Sequence, residues 1–224
     1  MDIELARFNM IEQQIRPWDV LDPTVLSLLG AVRREDFVPP ALRALAFVDT
    51  TVPLLPGQPQ GPCMLEPKVE ARLLQELQVQ RHEKVLEIGT GSGFMAALLG
   101  HRAQRVFTLE CDASLARTAR YNLHRNGLFN VDVIAVSAAQ GAAGLPAEAP
   151  FDVIVLSGSV HEVPAALLQQ LKPGGRLAAI VGDEPVMHAR LTTRVGEAAW
   201  SQTDLFDTVA PRLRGFAEPS RFSF

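Results

Sequence analysis

The chain has 224 residues, 47% of them apolar and 21% charged, and its 25 acidic and 21 basic side chains leave a net charge of -4. That balance sustains one large buried core; it excludes a disordered chain and a general nucleic-acid binder, which needs a concentrated basic face. No run of about 18 apolar residues marks a membrane span, the opening MDIELARFNMIEQQI has no leader-like apolar centre, and Cys63 and Cys111 lack metal or redox spacing, so both read as free thiols of a reducing cytoplasm.

In chain order, ELARFNMIEQQI alternates apolar and polar residues with a helical period. DPTVLSLLGAV offers Asp22 as an N-cap and Pro23 as the first helical residue. DTTVPLLPGQPQGPCMLEP, residues 49–67, carries prolines and glycines that forbid a long helix or a central strand. It reads as an extended loop, and loops of that length in compact domains are usually functional. EPKVEARLLQELQV then starts a helix at Pro67, with Val69, Leu73, Leu74 and Leu77 on one face.

From Lys84 the pattern alternates strand and helix. KVLEI, RVFTL, VDVIAV, DVIVLS and RLAAIV are short runs of the kind buried on both faces of a parallel sheet. Between them, DASLARTARYNLHRNG starts at an acidic cap and stops at Gly127, and VPAALLQQLKPGG predicts a helix entered at Pro164 and ended by Gly174–Gly175. ARLTTRVG and WSQTDLFDTVAPRL alternate with period two and predict antiparallel strands at the sheet edge. The fold expected is α/β: a Rossmann-like, doubly wound, mostly parallel sheet with antiparallel C-terminal strands. Residues 1–66 form an N-terminal helical extension and loop, and residues 67–224 the sheet domain.

The chemistry centres on KVLEIGTGSGF, residues 84–94. A triphosphate loop needs Lys and then Ser or Thr after its last glycine, where Phe94 and Met95 stand. The dinucleotide fingerprint is G-x-G-x-x-G, whereas Gly89, Gly91 and Gly93 are G-x-G-x-G with Glu87 two residues ahead. That arrangement resembles motif I of the Rossmann-like S-adenosylmethionine methyltransferases. Glycines let the backbone approach a ligand closely and adopt positive φ, and a ligand without phosphate needs no Lys or Arg clamp. Glu87 is placed to orient the ammonium group of such a cofactor through water. Glu110, ending the next strand, can accept both ribose hydroxyls. The expected cofactor contacts are thus Glu87, Gly89, Thr90, Gly91, Ser92, Gly93 and Glu110.

The whole chain resembles the protein-L-isoaspartate O-methyltransferase family. MIEQQIRPWDVLDPTVLSLLGAVRREDFVP, LEIGTGSGF, and the stretch from Gly141 to Gly182 with its LKPGG turn carry the likeness. The resemblance implies methyl transfer from S-adenosyl-L-methionine, leaving S-adenosyl-L-homocysteine, to the free carboxylate of isoaspartyl residues in damaged proteins. The ester then closes to a succinimide that partly reopens as aspartate. No metal, nucleic-acid or membrane partner is expected, on the scattered cysteines and histidines, the acidic balance and the want of an apolar span. Two departures stand out. The family's TISQP-like substrate motif falls on CMLEP, which puts Leu65 at its hydroxyl position, Glu66 at its neutral amide and Pro67 at its proline. The family's GDG falls on Gln140–Gly141, so the Gln140 amide is expected at the adenine, with Ser137 the alternative. The first departure leaves two further readings: a methyltransferase with a small-molecule or other acceptor, and a cofactor-binding module without turnover.

Ser157, Ser159 and His161 follow the fourth strand and are candidates to line the cleft, while the other four histidines are scattered. Arg16, Arg33 and Arg34 read as solvated or helix-pairing charges, or as one bidentate ligand for a carboxylate. The three phenylalanines of LRGFAEPSRFSF are expected to pack on the domain.

Overall fold

The computed structural model describes every residue except 1, 56, 59, 60 and 219–224. Helix α1 (Ile3–Met10) is capped by Asp2 and runs on as a π-helical turn over Ile11–Ile15. Helix α2 (Pro23–Ala31) starts where its sequence predicts, with the Asp22 carboxylate accepting from Thr24 N. Two 3-10 segments, Arg34–Asp36 and Pro40–Phe47, lead into the proline-rich loop. That loop is not wholly irregular. Strands β1 (Val52–Pro53) and β2 (Cys63–Met64) make an antiparallel ribbon, Val52 opposite Met64 and Pro53 opposite Cys63. Helix α3 (Pro67–Leu77) follows and buries Val69, Leu73, Leu74 and Leu77 as its periodicity requires.

The remaining elements are β3 (Lys84–Ile88), α4 (Phe94–Arg102), β4 (Arg105–Glu110), α5 (Ala113–Arg125), β5 (Val131–Ala135), α6 (Ala138–Ala142), β6 (Phe151–Val160), α7 (Ala165–Leu168), β7 (Leu171–Asp183), β8 (Val186–Arg194) and β9 (Trp200–Thr208). They build a seven-stranded sheet ordered β5-β4-β3-β6-β7-β8-β9. The β5-to-β7 pairings are parallel, and β8 and β9 add antiparallel, as their alternation predicts. Central strands are buried on both faces: Val85, Val153 and Val155 face one core layer, and Leu86, Ile154 and Leu156 face the other. The first layer also takes in Met10, Leu29, Val52, Met64, Val69 and Phe94, so the N-terminal segment shares its core with the sheet.

One helix is shorter than expected. Helix α7 has four residues with Pro164 as its cap, and Lys172–Gly175 belongs to β7. A β-carbon on Gly175 would meet Asp152 O at 3.0 Å and Lys172 O at 2.9 Å. The glycine pair therefore serves an irregular pairing with β6, not a helix stop.

Strand order reverses at β3, whose neighbours are β4 and β6. In open α/β sheets a crevice forms beyond the carboxyl ends of the strands at such a switch point, and the glycine turn sits there.

Candidate active site

The turn after β3 holds Gly89, Gly91 and Gly93 at φ 94, 54 and 88, a region that L side chains avoid. Gly89 N and Thr90 N both donate to Leu109 O, Gly91 N donates to Glu110 Oε2 at 2.8 Å, and Gly93 N donates to Thr90 O. A phosphate cradle needs such amides free to point at the anion; here they are committed to the protein. The glycines also differ in task. Gly89 and Gly91 line a cleft, whereas Gly93 caps α4 and packs on Ala119 and Leu123 of α5. Thr90 and Ser92 are buried: the Thr90 hydroxyl is 2.6 Å from that of Thr108, and Ser92 O accepts from Asn122.

The two acids divide in the same way. Glu110 lines the cleft at the end of β4. Its Oε2 accepts from Gly91 N and its Oε1 from Asp112 N at 2.9 Å, leaving one lone pair on each oxygen. Glu87 is fully buried and absent from the wall. Its Oε1 accepts from Ser157 Oγ at 2.6 Å and its Oε2 from Thr108 Oγ1 at 2.7 Å. Burial pushes its carboxyl up to about 8, against the lowering by the two hydroxyls. Glu87 adjoins the cleft through Ser157, which does line it.

The cleft has a volume of about 1340 Å³. Of the residues expected around it, Gly89, Gly91, Glu110, Ser157 and Leu65 line it. Gln140, expected at the adenine, is exposed and turned to its own helix. Its Oε1 accepts from Ser137 N while Ser137 Oγ accepts from Gln140 N, a reciprocal cap that occupies both side chains. Ser-x-x-Gln is itself the sequence signal of that cap. Ala138 and Gly141 of α6 form the wall there instead.

Leu65 is buried and its carbonyl accepts from Arg34 Nη2 at 2.7 Å. Arg34 is therefore neither solvated nor free for a substrate: it is buried, and it also pairs with the buried Glu70. Arg16 and Arg33 pair with Glu12 and with Glu35. Glu66 lies 3.3 Å from Lys68 Nζ, and Pro67 is buried at the start of α3. Neither Glu66 nor Pro67 is in the wall. His161 Nδ1 lies 2.8 Å from Asp183 Oδ2, and Asp183 is a wall residue.

The roof of the cleft has no signal in the local sequence pattern. After β9 the chain crosses back as a strap: Ser159 N donates to Pro211 O, Leu213 N to Ser159 O, and Ser159 Oγ to Ala210 O. Ser159 thus ties down the strap. Leu213 lies over two glycines, because a β-carbon on Gly89 or Gly158 would come 2.7 or 2.8 Å from its Cδ2. Arg212 anchors the strap to Asp183, and Phe216 packs against the second core layer. Phe222 and Phe224 lie outside the described residues.

A family model described as Protein-L-isoaspartate(D-aspartate) O-methyltransferase matches residues 6–209. The chain belongs to this family. Among its relatives is the protein-L-isoaspartate O-methyltransferase of Koribacter versatilis, 38% identical over 203 residues that cover 91% of this chain and 88% of that one. The enzyme of the same name from Rhodopseudomonas palustris is 40% identical over 199 residues, 88% of each chain. A beta-aspartate methyltransferase from Plasmodium falciparum, solved with S-adenosyl-L-homocysteine, superposes with a TM-score of 0.75 over 96% of this chain and 99% of that one. At 18% identity that likeness shows the shared fold. The family match ends at Val209, so the strap from Ala210 onward lies beyond it.

Proposed function

We propose that this member of the protein-L-isoaspartate O-methyltransferase family binds S-adenosyl-L-methionine in the switch-point cleft and methylates the free carboxylate of isoaspartyl residues in proteins and peptides. The observation that carries the reading is the pairing of a carboxylate with lone pairs to spare, Glu110, with a turn whose three glycine amides are already committed. Such a wall suits a ribose diol without phosphate. Bound there, the cofactor supplies a methyl group already activated by a sulfonium. Glu110 would hold the ribose, the backbone at Gly89 and Gly91 would allow close approach, and Ala138 and Gly141 would line the space left for the base.

The chain's own share of the chemistry is small in kind. An isoaspartyl carboxyl, with an ordinary pKa of about 4, is ionised at neutral pH and needs no general base. What remains is to align the carboxylate and strip its water. The apolar wall residues Leu65, Met187, Val209 and Leu213 suit the second task. Cys63, in the same wall, is pushed up to about 11 by burial and stays a neutral thiol. Both cysteines are free, which fits a cytoplasmic enzyme.

Incubation with labelled cofactor and a pair of peptides, isoaspartyl and aspartyl, tests the proposal. Saturable labelling of the isoaspartyl peptide alone is expected; equal background on both overturns it. Leu65, a donor-less side chain in the wall, favours a second reading in which another acceptor is used. That reading gains if S-adenosyl-L-homocysteine binds tightly and neither peptide is labelled.

A further inference from the structure

A carboxylate acceptor must be held by a hydrogen-bond donor of the cleft lining that the cofactor does not itself use. The polar side chains of the wall are mostly spoken for. Ser157 donates to Glu87; Arg212 gives Nη2 to Asp183 and holds Nε 3.5 Å from Glu218, while its Nη1, without a partner among the described residues, is shut off from solvent and so from the open cleft. Arg214 is exposed and reaches toward Asp112, and Gln58 sits on the exposed turn of the loop. Thr51 differs. It is half-buried, it lines the cleft, and its hydroxyl has no hydrogen-bond partner among the described residues.

The ribbon explains why Thr51 faces inward. Residues opposite each other in an antiparallel pair share a face, and successive residues alternate faces. Val52 and Met64 form one such pair, both buried in the core. The same register carried one residue further sets Thr51 opposite Leu65, on the other face. Thr51, Cys63 and Leu65 are all wall residues, whereas Val52 and Met64 are not. A hydroxyl at residue 51 therefore stands directly across the ribbon from the leucine that offers no donor. Carbon atoms Cβ of such a pair lie roughly 5 Å apart, so either side chain can serve the same ligand atom.

We infer that Thr51 is the specificity-determining donor for the methyl acceptor, its hydroxyl holding one carboxylate oxygen while the other faces the methyl donor. The inference rests on the acceptor proposed above. Thr51 moves no proton; it orients an oxygen that is already ionised.

Thr51→Val keeps the shape and the β-branch while removing the donor. The loss of a hydrogen bond to a charged group predicts a kcat/KM for the isoaspartyl peptide roughly ten- to a hundredfold lower, mostly through KM. Affinity for S-adenosyl-L-homocysteine by calorimetry, and the thermal midpoint, stay at wild-type values. Thr51→Ser retains most of the activity. Thr51→Val/Leu65→Ser, which moves the hydroxyl across the ribbon, recovers part of the loss. A Thr51→Val enzyme with wild-type kcat/KM overturns the inference, as does an equal loss of cofactor-product affinity. Wild-type protein that leaves the isoaspartyl peptide unlabelled overturns the proposed function instead, so the two failures are told apart.

Discussion

Glu87 is a carboxyl shut away from water with two hydroxyls as its hydrogen-bond partners. Folded, it titrates at about 8; its ordinary value is 4.5. Between those values the folded chain keeps a proton that the unfolded chain has released. Stability therefore falls as pH rises through that window and is level on either side of it. Glu87→Gln removes the titration, so its stability relative to wild type should improve from pH 5 to pH 8.5. The gain should be roughly 4 kcal/mol, because each pH unit inside the window is worth about 1.4 kcal/mol. Denaturant unfolding at the two pH values checks this, and a difference that does not change with pH rules it out. The sequence places Glu87 beside the glycines but does not reveal its surroundings. The bonds to Thr108 and Ser157 span 21 and 70 residues, and only the folded sheet brings them together. Glu110 is more legible because its partners, Gly91 and Asp112, follow from the strand end and turn themselves. Gln140 departs from its expected place for the opposite reason: its capping partner is three residues away, and that local pattern outweighs the register of the family motif.

Among the elements, the N-terminal 3-10 turn, the proline-rich loop, α3 and α4 meet at one guanidinium. Arg34 pairs with Glu70 of α3, donates to Leu65 O, and stacks with its Cζ 4.7 Å from the centre of the Phe94 ring. Burial raises the Glu70 carboxyl, and Arg34 opposes that rise. Removing only the arginine leaves a buried carboxylate without a partner, a change that destabilises by roughly 3–5 kcal/mol. Arg34→Met should therefore show that loss near pH 8 and a smaller one near pH 5, where Glu70 can take up a proton in place of its partner. Adding Glu70→Gln should recover much of the loss at pH 8. Thermal melts of the three variants decide it, and an Arg34→Met chain as stable as wild type at pH 8 would show the pair to be dispensable. At this scale the strands and most helices are legible from hydrophobic period and caps. Lys172–Gly175 is not, since Pro-Gly-Gly after an apolar run serves a strand irregularity as readily as a helix end. The strap is invisible for want of any local pattern: its closure depends on Ser159, about fifty residues before it.

Across the whole molecule, one core layer joins Met10 and Leu29 of the N-terminal segment to Phe94, Val153 and Ile180 of the sheet domain. A boundary at residue 67 therefore divides the chain by sequence pattern while the apolar packing runs through it. Shared burial of that kind predicts one cooperative transition. Trp18 can report on it, since it lies in the N-terminal segment with its ring edge-on to Phe206 of β9 at 5.7 Å. In a Trp200→Phe background, a change that gives up no hydrogen bond because Trp200 Nε1 has no partner among the described residues, the Trp18 signal and far-UV circular dichroism should melt together. A Trp18 transition that comes first would mean that the segment unfolds alone. The same melt carries the cofactor test. A ligand that binds only the folded chain, present at 100 times its Kd, adds about 2.7 kcal/mol, a rise of roughly 5–10 °C in Tm for a chain of this size. S-adenosyl-L-homocysteine should give that rise in both signals at once, because the cleft and the N-terminal segment belong to one folding unit. A nicotinamide dinucleotide at the same concentration should give none, since the three glycine amides of the turn and that of Thr90 are spent on Leu109, Glu110 and Thr90, and the G-x-G-x-G spacing is not the dinucleotide one.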